Sequence, residues 1–311
     1  MKNSFLGIDT SNYTTSAAIY RSGESMEQNK QLLPVKPGQL GLRQSDAVFH
    51  HVQQLPQILE PLLKSDMELR AIGVSDKPRG IEGSYMPCFT VGYGTAKVIA
   101  SVQHIPLYTF SHQAGHIAAA LYSAAKLELL KEKFIAFHVS GGTTEAVLVT
   151  PNEDTVLSAQ IIASSLDLKG GQAVDRVGAM LGLPFPAGKE LEKLALACDK
   201  TFSIKPSLKG ADCSLSGIEN HCEKMLDTGY AKEEIAAYCL QSILAALDAM
   251  CGLLLQQYGK LPVLFAGGVM SNSIIRNALT NKYGAYFAAP EFSADNAAGI
   301  AVLASIREEQ Q

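Results

Sequence analysis

Two histidines one helical turn apart, His112 and His116 in Ser111-His-Gln-Ala-Gly-His-Ile117, are the residues whose type and spacing best suit them for chemistry. The run 105–110 reads as a short strand and 113–125 as an Ala-rich helix, so the pair falls at a strand-to-helix junction. Side chains four apart share one helix face. Two imidazoles so placed can reach one divalent metal at about 2.0–2.1 Å, provided an oxygen ligand arrives from elsewhere. The same spacing also suits a polar helix start whose histidines hydrogen-bond to nearby backbone. The candidate for the missing oxygen ligand is Asp295, in Pro290-Glu-Phe-Ser-Ala-Asp-Asn296, with helix capping beside Ser293 as its alternative role.

Three strand-to-turn segments have residues small enough for backbone N–H groups to approach phosphate oxygens: Asp9-Thr-Ser11, Ser140-Gly-Gly-Thr-Thr144 and Ala266-Gly-Gly-Val-Met-Ser-Asn272. Glycine removes the Cβ that blocks close approach, and a following helix N-terminus favours an anion. A single Gly-Gly turn is commonly an ordinary hairpin turn; three at the strand ends of two matched units carry more weight. Asp175, near an expected helix start, can accept from a ribose hydroxyl, orient a metal, or be a solvated helix-face carboxylate. Gly188 is either another close-approach point or a loop glycine.

The elements that must position these residues follow from periodicity. Residues 4–8 and 15–20 read as two strands around a polar turn, 71–75 and 105–110 as further strands, and 87–103 as a helix. From Ser45 to Lys64 the apolar positions Val48, Val52, Leu55, Leu59 and Leu62 suggest one helical face, interrupted by Pro56 and Pro61. His50 and His51 lie there; being adjacent they cannot share a helical face, and they read as surface or interface residues. The second half repeats the theme, with a hairpin from 134–139 and 144–149, helices near 171–182, 187–198, 216–227 and 231–257, strands at 261–266 and 285–288, a helix at 271–281 and a final helix from about 294. Two hairpin-initiated α/β units predict two similar domains closed around a cleft.

With 311 residues the chain is long enough for two cores, and 47% hydrophobic against 18% charged residues describes a well-buried protein. A net charge of −4 gives no global basic field for nucleic acid, so RNA contact needs a local patch. The six cysteines form no Cys-x-x-Cys pair and read as small buried hydrophobes of a reducing cytosol. No charged-then-apolar leader precedes the first strand, and the apolar stretch 235–255 is broken by polar residues; a cytoplasmic protein without a membrane span is expected.

Val139-Ser-Gly-Gly142, Gly171-Gln-Ala-Val-Asp-Arg176, Leu181-Gly-Leu183, Pro186-Ala-Gly188, Ser214-Leu-Ser-Gly217, Ala266-Gly-Gly-Val269 with Asn272, and Pro290-Glu-Phe292 with Asp295-Asn296 occur in an order and spacing that resembles the tRNA threonylcarbamoyladenosine synthase family, long labelled glycoprotease or O-sialoglycoprotein endopeptidase. The resemblance spans essentially the whole chain. It implies the two-lobed actin-like ATPase fold, tandem RNase H-like domains around an interlobe cleft. The expected lobes are 1–109 with 296–311, and 110–295. It implies one metal, iron or zinc, on His112, His116 and Asp295, and an adenine nucleotide, ATP or adenylate, held by Ser140, Gly141, Gly142, Thr143, Asp175, Gly188, Gly267, Gly268 and Asn272. It further implies transfer of a threonylcarbamoyl group from its adenylate to N6 of a tRNA adenosine, and a companion protein of the same fold family.

The chain also departs from that pattern. The family opens Glu-Thr-Ser-Cys-Asp-Glu-Thr, whose Asp-Glu pair is expected to take part in chemistry; here Tyr13 and Thr14 stand in those places. Its Gly-Gly-His-Thr becomes Gly142-Thr143-Thr144 preceded by Gly141, and its Gly-Pro-Gly loop becomes Lys77-Pro-Arg-Gly80. A diverged paralogue is expected, either a transferase lacking two carboxylates or a non-catalytic, nucleotide-responsive homologue that binds a partner. A metallopeptidase, the third reading, lacks His-Glu-x-x-His and any general base between the two histidines.

Overall fold

The computed structural model describes residues 3–11, 13–35, 42–64, 67–293 and 297–310. The chain divides into two compact units: 1–132 with 150–159 and 291–311, and 133–149 with 160–290. The segment 110–132, expected in the second lobe, therefore groups with the first.

Unit 1 opens with β1 (Ser4–Ser11) and β2 (Thr14–Arg21), an antiparallel pair whose residues are almost all buried. β3 (Ser25–Leu32), α1 (Gln44–Leu59), β4 (Leu69–Lys77), α2 (Phe89–Gln103), β5 (Leu107–Ser111) and α3 (His112–Ser123) follow. The sheet order is β3-β2-β1-β4-β5, with β4 and β5 parallel to β1. Buried on both faces, β1 and β4 carry near-continuous small and apolar residues, as parallel central strands do. The edge strand β3, Ser-Met-Glu-Gln-Asn-Lys-Gln-Leu, is polar and half-exposed, and its composition gave no strand signal.

Helix α1 is turned differently from the expectation. Its buried positions are Ala47, His51, Gln54, Leu55, Ile58 and Leu59, while Val52 is 56% exposed. The hydroxyl of Thr15 on β2 gives His51 and Gln54 polar partners inside, so these two take the inward face. His51 is thus a buried residue and not a surface one.

Unit 2 begins with β6 (Phe134–Val139), β7 (Thr144–Asn152) and β8 (Val156–Ser164). It continues through α4 (Gly170–Met180), α5 (Gly188–Leu196), the small hairpin β9 (Ser207–Lys209) and β10 (Asp212–Ser214), α6 (Ser216–Asp227), α7 (Lys232–Tyr258), β11 (Val263–Ala266), α8 (Ser273–Tyr283) and β12 (Tyr286–Phe287). Its main sheet runs β12-β11-β6-β7-β8, the same order of hairpin, third strand and two crossover strands as in unit 1. Phe137, Phe265 and Phe287 stack across the three parallel strands, with centroids 4.7 and 5.3 Å apart. By length and composition α7 is apolar enough to cross a bilayer. Ile235, Leu240, Ile243, Leu247, Met250 and Leu254 nevertheless lie in the core of this unit, the role that its interruptions predict. The last helix, α9 (Ala298–Glu309), returns to unit 1 and packs on β1, β4 and α3. It crosses α3 at Gly115 and Gly299, where an added Cβ at 299 would lie 1.8 Å from the Gly115 carbonyl oxygen. That contact fixes the helix bearing both histidines.

Candidate functional site

The polar residues of unit 1 gather at the carboxyl ends of its parallel strands, the edge where open α/β sheets bind ligands. Asp9 lies near the end of β1, Ser75 near the end of β4, and Ser111 closes β5 and caps α3 by accepting from the Ala114 amide at 3.1 Å. Asp9 is fully buried. Its Oδ1 accepts from the Ser75 hydroxyl and lies 2.9 Å from His112 Nδ1. The Nε2 atoms of His112 and His116 are 2.9 Å apart. Two nitrogens each about 2.0–2.1 Å from one ion are separated by roughly 2.8–3.4 Å at octahedral to tetrahedral angles, so this spacing falls at the short end of what a shared metal needs. Among the described residues no group of three His, Cys, Asp or Glu side chains forms a complete metal site. Asp295, the expected oxygen ligand, lies outside the described residues.

The substituted loop adjoins this cluster. Tyr13 is 41% exposed, while Thr14, which begins β2, is buried. In the altered 77–80 loop, the Pro78 carbonyl accepts from the Gln113 amide at 3.1 Å, tying that loop to the first turn of α3. Beneath the β1–β2 turn, Thr15 Oγ1 donates to Gln54 Oε1 at 2.7 Å and meets His51 Nδ1 at 2.8 Å. Burial is the largest effect on His51 and pushes its imidazole below the usual range, against a partial offset from the Ser11 backbone and Asp9.

In unit 2 the turn Ser140–Thr143 is closed on itself. The Ser140 amide donates to the Thr143 carbonyl at 2.7 Å, and the Thr143 amide to Ser140 Oγ at 3.1 Å. Helix α4 starts directly against it, with Gly171 N donating to the Ser140 carbonyl and Gly170 N to Thr144 Oγ1. Cβ atoms added at Gly141, Gly142 or Gly268 would meet nothing within 4 Å. At Gly267 the reason for glycine differs: φ is +101°, and a Cβ would lie 2.3 Å from the Val139 carbonyl oxygen. That glycine seats β11 against β6.

The side chains expected to hold a nucleotide here have local bonds of their own. Asp175 lies midway along α4 and not at its start, and its Oδ1 accepts from the Ala187 amide at 2.9 Å, just before Gly188 opens α5. Asn272 is the N-cap of α8, accepting from Ile275 N at 3.1 Å. Asp167 was missed by the sequence reading. Burial raises its pKa, but hydrogen bonds from Ser216 and from the Leu215, Leu168 and Ser216 amides outweigh that and hold it below the usual carboxylate range. These bonds tie the Ser214–Gly217 segment to the loop before α4. Its one sequence signal was position, three residues before α4. All six cysteines are free, and burial pushes the Cys88 thiol up to about 11, away from nucleophilic use.

Residues 33–302 match the family model for tRNA N6-adenosine threonylcarbamoyltransferase. The protein of that name from Lacticaseibacillus casei is 30% identical over 289 residues, covering 88% of this chain and 81% of the relative. Its counterpart from Oenococcus oeni is 30% identical over 328 residues, covering 98% and 92%. Among solved structures, component A of (R)-2-hydroxyglutaryl-CoA dehydratase from Acidaminococcus fermentans aligns over 99% of each chain, with a TM-score of 0.55 and 17% identity. The ROK hexokinase of Thermus thermophilus aligns over 99% and 100%, with a TM-score of 0.52 and 12% identity. These two likenesses concern the fold, which is that of the actin-like ATPases. The strand-end residues of both units and the match along most of the sequence lead to one assignment: the chain belongs to the tRNA N6-adenosine threonylcarbamoyltransferase family.

Proposed function

We propose that this protein acts in tRNA adenosine modification in the cytosol. It binds one divalent metal, iron or zinc, at His112, His116 and Asp295, and an adenylate at the Ser140–Thr143 turn with Asp175, Gly188, Gly267, Gly268 and Asn272. The observation that carries this reading is the approach of the two Nε2 atoms to 2.9 Å, with Asp9 behind His112, in a chain of this family. In the reaction the adenosine N6 amine attacks the carbonyl of threonylcarbamoyl adenylate. The new C–N bond forms, the C–O bond to AMP breaks, AMP leaves with the electron pair, and the amine loses a proton. A bound metal would polarise that carbonyl and stabilise the developing negative charge. The chain's own contribution is to hold the phosphate with the Gly141 and Gly142 amides of the turn before α4 and to fix the imidazoles.

Proton removal is the weak step. Tyr13 and Thr14 replace two carboxylates, whose acid–base contribution is typically ~10²–10⁴-fold in rate. The protein, supplied with tRNA, threonylcarbamoyl adenylate and a companion protein of the same fold family, is expected to form modified adenosine far more slowly than the Lacticaseibacillus casei relative, read by mass spectrometry of digested tRNA. Tyr13→Asp alone should raise the rate. A Glu at buried Thr14 would add an uncompensated carboxylate and is the poorer test. Full turnover by the unmodified chain would refute the reading of the loop; no product together with no adenylate binding would refute the transferase reading.

A second reading, a non-catalytic homologue that binds a companion protein in response to nucleotide, is favoured by one specific observation. The packed helices α1 and α2 leave Phe49, Val52, Val98 and Val102 between 56% and 71% exposed. Nucleotide-dependent complex formation without any product would select it.

A further inference from the structure

We propose that Asp9 is the positioning residue that prepares His112 for a metal, by holding the Nδ1 proton and so leaving the Nε2 lone pair free to ligate. The inference rests on the metal reading above and adds a residue to it. Asp9 is fully buried two residues before the end of β1, the middle strand of its sheet. A carboxylate in such a place costs several kcal/mol unless donors hold its charge. Two groups converge on a single oxygen, Oδ1: the hydroxyl of Ser75 from β4, which donates, and Nδ1 of His112 from α3, which can meet an ionised carboxylate only as a donor. A cross-link between strand ends needs no negative charge, since a serine or an asparagine would bridge them at lower cost. What a carboxylate supplies in addition is a strong acceptor for Nδ1–H.

That bond decides the tautomer. With its proton on Nδ1, neutral His112 presents a bare Nε2 toward His116 Nε2, 2.9 Å away. The carboxylate also holds the plane of the ring, and loss of such a partner typically weakens metal affinity about 10–100-fold. Phe89, itself buried, lies with its ring 6.1 Å from that of His112 and supplies an apolar wall on that side. Asp9, His112 and His116 therefore form one line, carboxylate to imidazole to imidazole, built at the ends of β1 and β5 and along the first turn of α3.

The test is a chelator competition with zinc on the intact protein and on Asp9→Asn, with thermal midpoints recorded to confirm folding. Asp9→Asn is expected to raise the zinc Kd about 10–100-fold. Ser75→Ala, which leaves the Asp9–His112 bond in place, should change it less. Equal Kd values for the intact protein and Asp9→Asn would overturn this inference while leaving the metal reading standing; no zinc binding by the intact protein would overturn both. Nitrogen NMR of the metal-free intact protein gives a measure independent of any variant's folding. Nδ1 of His112 is expected to carry the proton, and a proton on Nε2 instead would refute the positioning role.

Discussion

Gly267 and Gly268 are neighbours in one Gly-Gly turn, yet the structure gives them opposite duties, and a pair of substitutions separates architecture from ligand binding. At Gly267 an alanine must adopt φ near +101° and place its Cβ 2.3 Å from the oxygen, 2.7 Å from the carbon and 2.9 Å from the nitrogen of Val139. Left-handed strain in a non-glycine residue costs about 1–2 kcal/mol. Overpacking against backbone, which cannot swing aside as a side chain does, adds about 1–3 kcal/mol. Gly267→Ala should therefore lose about 2–5 kcal/mol, a fall in thermal midpoint of roughly 4–20 °C at about 2–4 °C per kcal/mol for a domain of this class. Gly268→Val meets open space and should stay within about 0.5 kcal/mol of the parent. On the proposed adenylate reading, however, its side chain would block the phosphate's approach. The assay is a thermal melt of each variant with and without ATP or a non-hydrolysable adenylate, backed by calorimetric titration. Gly267→Ala should melt early. Gly268→Val should melt with the parent but lose the nucleotide-induced shift. A Gly267→Ala midpoint within 1 °C of the parent would refute the packing argument, and an undiminished nucleotide shift in Gly268→Val would refute the ligand assignment.

Elemental analysis of the purified protein should find near one iron or zinc per chain, and a His112→Ala/His116→Ala double variant should carry none; equal metal in the two would remove the metal assignment. For His51, burial lowers the folded-state pKa below its unfolded value of 6.5, so the unfolded chain binds the extra proton. Its contribution to stability is fully present above about 6.5 and declines as pH falls from there toward the folded pKa. The urea midpoint should drop over that window, and His51→Gln should flatten the drop; an unchanged pH profile in the variant would refute the assignment.

Much of this was legible because the signals were local. The hairpins β1–β2 and β6–β7 are dense apolar runs around polar turns, and α3 announces itself by Ser111, an Ala-rich body and the spacing of its histidines. The third strands β3 and β8 were not seen. Each lies at a sheet edge, where neither a polar run such as Glu27-Gln-Asn-Lys30 nor the mixed run Val156-Leu-Ser-Ala-Gln-Ile-Ile162 marks one buried face. His51 was misread for a different reason. Adjacency with His50 shows only that the two cannot point the same way, and says nothing about which one points inward. The series Ala47, His51, Leu55 and Ile58 has helical spacing, and counting the small and polar members along with the aliphatic ones would have found the buried face.

The two sheets share one strand order, and in each the residues with chemical potential lie at the carboxyl ends of parallel strands: Asp9, Ser75 and His112 in unit 1, Ser140 and Gly267 in unit 2. The units differ in how they use that edge. Unit 1 works with side chains, because a carboxylate and two imidazoles converge there through distances of 2.9 Å. Unit 2 offers mainly backbone. Asp175 is bonded to the Ala187 amide and Asn272 caps α8, so the side chains expected to bind a nucleotide are engaged in shaping their own loops. On the proposed adenylate reading, phosphate recognition would fall to the Gly141 and Gly142 amides, since those of Ser140 and Thr143 close the turn on itself and no Cβ intrudes at either glycine. This division explains why divergence at Tyr13, Thr14 and Thr143 leaves the scaffold intact. Tyr13 and Thr143 lie in turns between strands, and Thr14 opens β2 with its backbone paired to Ser11 and Leu32, so a change of side chain at these positions leaves the strand pairing and the Asp9–His112–His116 contacts in place.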